Sequence, residues 1–102
     1  MHDAILRRMR ELVRRSRYVM TAHGRQEMQA DDLGVFDVEH CILTGRIIER
    51  QRDRRWREWK YLVRGETLAG GFAITVAKLG ANDMLVIITV YADRPNEVQD
   101  EV

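Results

Sequence analysis

The sequence predicts an α+β fold: a mainly antiparallel sheet with two to three helices packed on it. Three observations predict it. Residues 59–64, 72–78 and 84–91 form three β-rich runs in succession, split by glycine-containing turns. The first half instead spaces its apolar residues for helices. The whole chain has 102 residues, enough for one modest core and one domain.

Residues 3–16 read as an amphipathic helix, with Ile5, Leu6, Met9, Leu12 and Val13 on one face and arginines on the other. Its stripe suits the sheet or a partner chain. A helix lying on a membrane is the lesser alternative, because such helices carry bulkier aromatic anchors. Residues 18–21 form a short strand, and Thr21 then caps a polar surface helix over 22–30 whose main apolar contact is Met28. After the turn at 31–34, residues 35–44 form a helix with Val38, Cys41 and Ile42 buried. Asp37 and Glu39 sit near its N-terminus, where the dipole favours acids, and Gly45 is the stop.

Residues 46–51 read as a strand and 52–57 as a charged turn. Next, Trp59, Tyr61 and Val63 share one face, and Glu58, Lys60, Leu62 and Arg64 the other. Phe72, Ile74, Val76 and Lys78 share a face of the following strand. Residues 80–83 are a turn signal, and the apolar run 84–91 is expected to be central in the sheet. Residues 1–92 thus form a single α+β domain. Residues 93–102, with Pro95 and many acids, are expected to be an acidic C-terminal tail.

The net charge of +1 hides alternating blocks. Residues 1–25 and 46–64 are rich in arginine, 26–45 carry acids without Lys or Arg, and the end is acidic. Such blocks build local basic surfaces for nucleic acid, or they pair with one another in space. A lone Cys41 excludes an internal disulfide and suits a reducing compartment. No apolar run has the length of a signal peptide or a membrane span, so a cytoplasmic protein without a membrane partner is expected.

Chemistry has few candidate carriers. His23 and Glu27 are one helical turn apart, a pairing that orients an imidazole for general acid or base work. The plainer reading is a helix-start residue bonding locally. Cys41 falls on the apolar stripe, and His40 beside it points elsewhere, so a core thiol is expected. The histidines and Cys41 lack zinc-ligand spacing, and Gly70-Gly71 precedes a strand rather than following one. No metal and no cofactor is expected. Lys60, Arg64, Lys78 and Tyr91 come from the same sheet and would form a shallow basic surface if their faces coincide. Metal-free RNA cleavage needs a base for the ribose 2′-hydroxyl, cations for the phosphorane and an acid for the leaving oxygen. These residues and His23 supply such groups. As ordinary residues of a half-exposed sheet they need no function at all.

Several segments together resemble a small bacterial family, the domain of unknown function 4258. They are Thr21-Ala22-His23-Gly24, Asp37-Val38-Glu39, residues 43–49, residues 58–63, and Ile87-Ile88-Thr89-Val90-Tyr91. The resemblance covers roughly residues 18–92. Many members have Ala after the His and Arg near position 27, where this chain has Gly24 and Glu27. The family is similar, more distantly, to the RelE-like toxins of toxin–antitoxin pairs, including the BrnT and MqsR groups. That resemblance implies a RelE-like α+β fold and a metal-independent mRNA endoribonuclease. It also implies an antitoxin partner, zinc-finger antitoxins being frequent neighbours, and mRNA or the ribosome as target. With the positions on the sheet, it nominates His23, Lys60, Arg64 and Tyr91 as catalytic and Arg25, Tyr61 and Lys78 as RNA-binding. The rival is a non-catalytic protein-binding module of the same small fold.

Overall fold

Apolar residues at alternate positions make the second half a sheet, and helical stripes in the first half cover one side of it. The structure is a computed structural model that describes residues 2–53 and 57–94. In chain order the elements are α1 (Asp3–Arg14), β1 (Tyr18–Met20), α2 (Ala22–Ala30), α3 (Val35–Thr44), β2 (Arg46–Asp53), β3 (Glu58–Glu66), β4 (Phe72–Leu79), a 3₁₀ turn (Ala81–Asp83) and β5 (Leu85–Asp93). The five strands lie in the order β1-β5-β4-β3-β2. Every pairing is antiparallel except β1 with β5, which is parallel. The fold is therefore α+β as expected. The middle strand is β4, while β5 lies inside the sheet between β4 and β1.

The core lies between the sheet and the pair α1 and α3. Met9, Leu12, Val38 and Ile42 meet Val63, Leu85, Ile87 and Val90, all of them essentially out of water. Truncating one such residue to Ala costs about 2–5 kcal/mol, through lost transfer energy and the cavity left behind. Helix α3 approaches β3 closely. A Cβ on Gly65 would lie 2.0 Å from the Cys41 carbonyl oxygen, so only glycine fits. Cys41 itself is fully buried.

Several arginines of α1 and the loop after it serve the fold. Arg10 donates to the Ile42 and Gly45 carbonyls, satisfying the C-terminal end of α3. Arg17 holds the carbonyls of Asn82 and Asp83, and Arg8 pairs with Glu11 and Asp83.

Two ladder slips decide which way side chains point. The β2–β3 ladder leaves Ile48 unpaired, and the β4–β5 ladder leaves Ile88 unpaired. Each bulge reverses the alternation that follows it. Past Ile88, Val90 points to the core while Thr89 and Tyr91 point to the opposite face.

The expected boundaries shift slightly. α1 ends at Arg14 instead of residue 16, β2 includes Arg52 and Asp53, and β5 runs through Asp93. The remainder of the expected tail, 95–102, and positions 54–56 of the expected turn lie outside the described residues. Among the described residues, no helix is long and apolar enough to cross a membrane.

Candidate functional site

The face of the sheet away from α1 and α3 carries the candidate residues. Register places Tyr91 opposite Ile74, Ile74 opposite Arg64, and Arg64 opposite Arg46. These four form one row across β5, β4, β3 and β2. Strands are spaced about 4.8 Å apart, so the row spans roughly 14 Å between its end backbones.

The outer end of the row is built by α2. β1 pairs only with Leu85–Ile87, and α2 covers the edge of β5 beyond that point. Thr21 caps the helix: its hydroxyl accepts from the Gly24 N–H at 3.0 Å and donates to the Ile88 carbonyl at 2.8 Å. The bulge at Ile88 turns that carbonyl towards the helix. A Cβ on Gly24 would stand 2.9 Å from the same oxygen, which explains glycine here. Further along, Asp31 accepts the Ala92 N–H at 2.7 Å. This docking sets His23 and Glu27 on the flank of α2. His23 Nε2 lies 2.5 Å from Glu27 Oε1, and His23 remains largely exposed. Glu27 Oε1 is itself buried and accepts no well-aligned hydrogen bond among the described residues.

Tyr91 is half-buried, and its pKa is raised. Burial is the main cause, followed by the charges of Asp93, Glu27 and Glu49. The phenol therefore keeps its proton at neutral pH and is able to donate a hydrogen bond. Arg64 lies with its guanidinium carbon 4.1 Å from the centre of the Phe72 ring, and its Nε is 2.5 Å from Asp93 Oδ2. Arg46 and Arg64, directly opposed, line a cleft of about 430 Å³ with Thr44, Gly45, Gly65, Glu66 and Phe72. Among the described residues Arg46 makes no ion pair.

The nominated residues do not all converge. Lys60 shares the open face, but it is four positions from Arg64 along β3, about 13 Å at strand rise. Adding the two-strand step puts it roughly 16 Å from Tyr91, too far for both to touch one phosphate. Lys78 lies at the same end as Lys60 and is paired with Glu58 at 2.8 Å. Tyr61 is on the opposite face, 7% exposed, with the His2 ring 5.6 Å away. Arg25 is exposed and two positions from His23, about 200° around α2.

The open face is also not the basic surface expected. Its cations Arg46, Lys60, Arg64 and Lys78 alternate with the acids Glu49, Asp53, Glu58, Glu66 and Asp93. Sequence reasoning passed over Arg46 and gave Glu27 only a supporting place. The hairpin register of β2 with β3 would have matched Arg46 to Arg64 had the bulge at Ile48 been foreseen.

A five-stranded sheet with helices on one face and a Tyr–Arg–Arg row on the other defines a small α+β protein with an open-faced candidate site. The chain belongs to the family described as Domain of unknown function (DUF4258), whose family model matches residues 20–92. No curated protein and no solved structure matches the chain.

Proposed function

We propose that this protein is a metal-independent RNA endonuclease of the toxin type, acting through the row at the α2 end of the open face. The observation that carries the reading is the row itself. It sets an imidazole–carboxylate pair, a protonated phenol and two guanidinium groups along one surface. In the reaction, a base takes the proton of a ribose 2′-hydroxyl, whose oxygen attacks the adjacent phosphorus. The bond to the 5′-oxygen breaks, that oxygen takes a proton, and a cyclic phosphate remains. His23, supported by Glu27, acts as base or acid. Tyr91 donates to the phosphate or to the leaving oxygen, Arg64 offsets the charge of the phosphorane, and Arg46, roughly 14 Å from Tyr91 by strand spacing, holds a neighbouring phosphate. Lys60, about 16 Å away by strand geometry, is left to substrate contact. The wider reading has the activity held in check by an antitoxin, with mRNA, free or on ribosomes, as target in the cytoplasm.

The test is cleavage of RNA by the purified chain with chelator present, with product ends examined for cyclic phosphate. Arg64→Ala and Tyr91→Phe are each expected to lower the rate about a hundredfold, the usual effect of losing one transition-state contact, and Arg46→Ala to weaken substrate binding. Absence of cleavage and of growth arrest on expression refutes the reading.

A second reading has its own observation. Arg64 and Lys78 already have carboxylate partners, and Tyr91 has three acids around it. Such a face suits a non-catalytic module that docks a protein surface of mixed charge. In that case Arg46→Ala weakens capture of the partner and no RNA is cut.

A further inference from the structure

The β2–β3 ribbon is two-sided. Alternation along Glu49-Arg50-Gln51-Arg52-Asp53 sends Glu49, Gln51 and Asp53 to the open face and both arginines to the helix side. There they meet Trp59. The Arg50 guanidinium carbon lies 3.8 Å from the centre of the Trp59 ring system and that of Arg52 lies 4.9 Å from it. Both arginines are exposed, and Trp59 is 37% exposed. Among the described residues neither arginine makes an ion pair, unlike Arg8, Arg15, Arg64 and Lys78. No carboxylate of β2 or β3 points to this side. The N-terminal end of α1 reaches this side at His2, beside Tyr61, and the nearby acid Asp3 already has a partner.

We propose that Arg50, Arg52 and Trp59 form a docking surface for single-stranded RNA, on the opposite face of the sheet from the candidate site. The charge there is unanswered within the described chain, and phosphate answers it. The indole restrains the guanidinium groups, so less rotamer freedom is lost when they bind phosphate or stack on a base. Aromatic and guanidinium planes are the surfaces on which unpaired bases stack. An acidic protein segment would match the charge but would make no use of stacking planes.

The test uses the whole chain and fluorescein-labelled 2′-O-methyl oligouridine, read by anisotropy over a range of salt. This probe lacks the 2′-hydroxyl nucleophile, so binding is measured whether or not the protein cuts RNA. The wild type is expected to bind with a steep salt dependence. The Arg50→Ala/Arg52→Ala double variant should lower the slope of log K against log salt by about 1.4, at about 0.7 per phosphate contact. Arg50→Lys/Arg52→Lys should keep the slope and lose several-fold in affinity, as should Trp59→Leu, because charge stays while the stacking planes go. The lysine variant retains every charge and so separates loss of contact from loss of fold, with thermal melts alongside. The proposal fails if wild type does not bind, if the alanine variant binds with an unchanged slope, or if polyglutamate binds more tightly than the oligonucleotide. Binding without cleavage of ordinary RNA refutes the nuclease reading and leaves this surface standing.

Discussion

Arg64→Ala tests whether a nominated active-site residue can be removed without disturbing the fold. Arg64 is held by two contacts, Asp93 Oδ2 at 2.5 Å from its Nε and the Phe72 ring at 4.1 Å. Its side chain is 36% exposed and that of Asp93 is 22% exposed, so solvent screens the pair in part. An exposed pair is worth about 0.2–1 kcal/mol, and an exposed cation–π contact about 0.5–1 kcal/mol. Removing Arg64 also leaves Asp93 half-buried beside Tyr91 without its partner, which adds to the cost. The expected loss is about 1–2 kcal/mol, a fall in Tm of roughly 5–15 °C for a domain of this size. Arg46→Ala, by contrast, removes an exposed side chain with no ion pair among the described residues, and it relieves the like charge opposed to Arg64. It should change stability by less than about 0.5 kcal/mol. Thermal melts of the two variants, with Asp93→Ala and the Arg64/Asp93 double variant to close a cycle, decide the matter. A coupling of about 0.5–1 kcal/mol is expected. An Arg64→Ala melt that superposes on wild type would show that these contacts contribute nothing.

Two further outcomes follow from groups on the other side of the sheet. Cys41 is fully buried, with Thr75 Oγ1 at 3.5 Å from Sγ, and burial raises its pKa. A thiol reagent should label the native protein far more slowly than the unfolded chain, and equal rates would contradict this burial. Tyr18 bonds to Glu39, and its pKa is pushed up to about 12, mainly by burial and then by that hydrogen bond. Because the folded pKa lies above the ordinary value of 10, the unfolded chain releases this proton first. Its stabilisation is present below pH 10 and declines between pH 10 and about 12. The difference in Tm between wild type and Tyr18→Phe should narrow over that window, and a constant difference would count against the shift.

The sheet and helices were legible because their signals are periodic. The alternation at 58–64 and the helical stripes at Leu6, Met9, Leu12 and Val38, Cys41, Ile42 correspond to observed burial, whereas 73–77 are buried without alternation. What alternation cannot reveal is a bulge. Strict period two sends Tyr91 to the side of Ile87, into the core. The extra residue at Ile88 moves it to the open face, beside Glu27. The bulge at Ile48 similarly hides the match of Arg46 to Arg64. Charge blocks misled for another reason. Arginine runs in the sequence say nothing about partners far along the chain, and it is Asp83, Asp93 and two carbonyls of the α3 terminus that absorb Arg8, Arg64 and Arg10. The ribbon with its cations on one side is missed for a simpler reason, because a strand expected to end at Gln51 assigns Arg52 and Asp53 to a turn.

The acids on the open face have a structural reason that does not depend on what the face binds. Arg46 and Arg64 are directly opposed, and Lys60 and Lys78 occupy adjoining strands. Such cations repel unless carboxylates lie between them. Asp93 and Glu58 meet that need at Arg64 and Lys78. A binding site is then expected where the compensation stops. It stops at one end of the row, at Arg46, which makes no ion pair among the described residues, whereas at the other end Glu27 Oε1 lies 2.5 Å from His23 Nε2. Between these ends stand a phenol kept protonated and an arginine paired with Asp93. The uneven compensation along this row favours a site at its Arg46 end over a uniformly charged solvated surface.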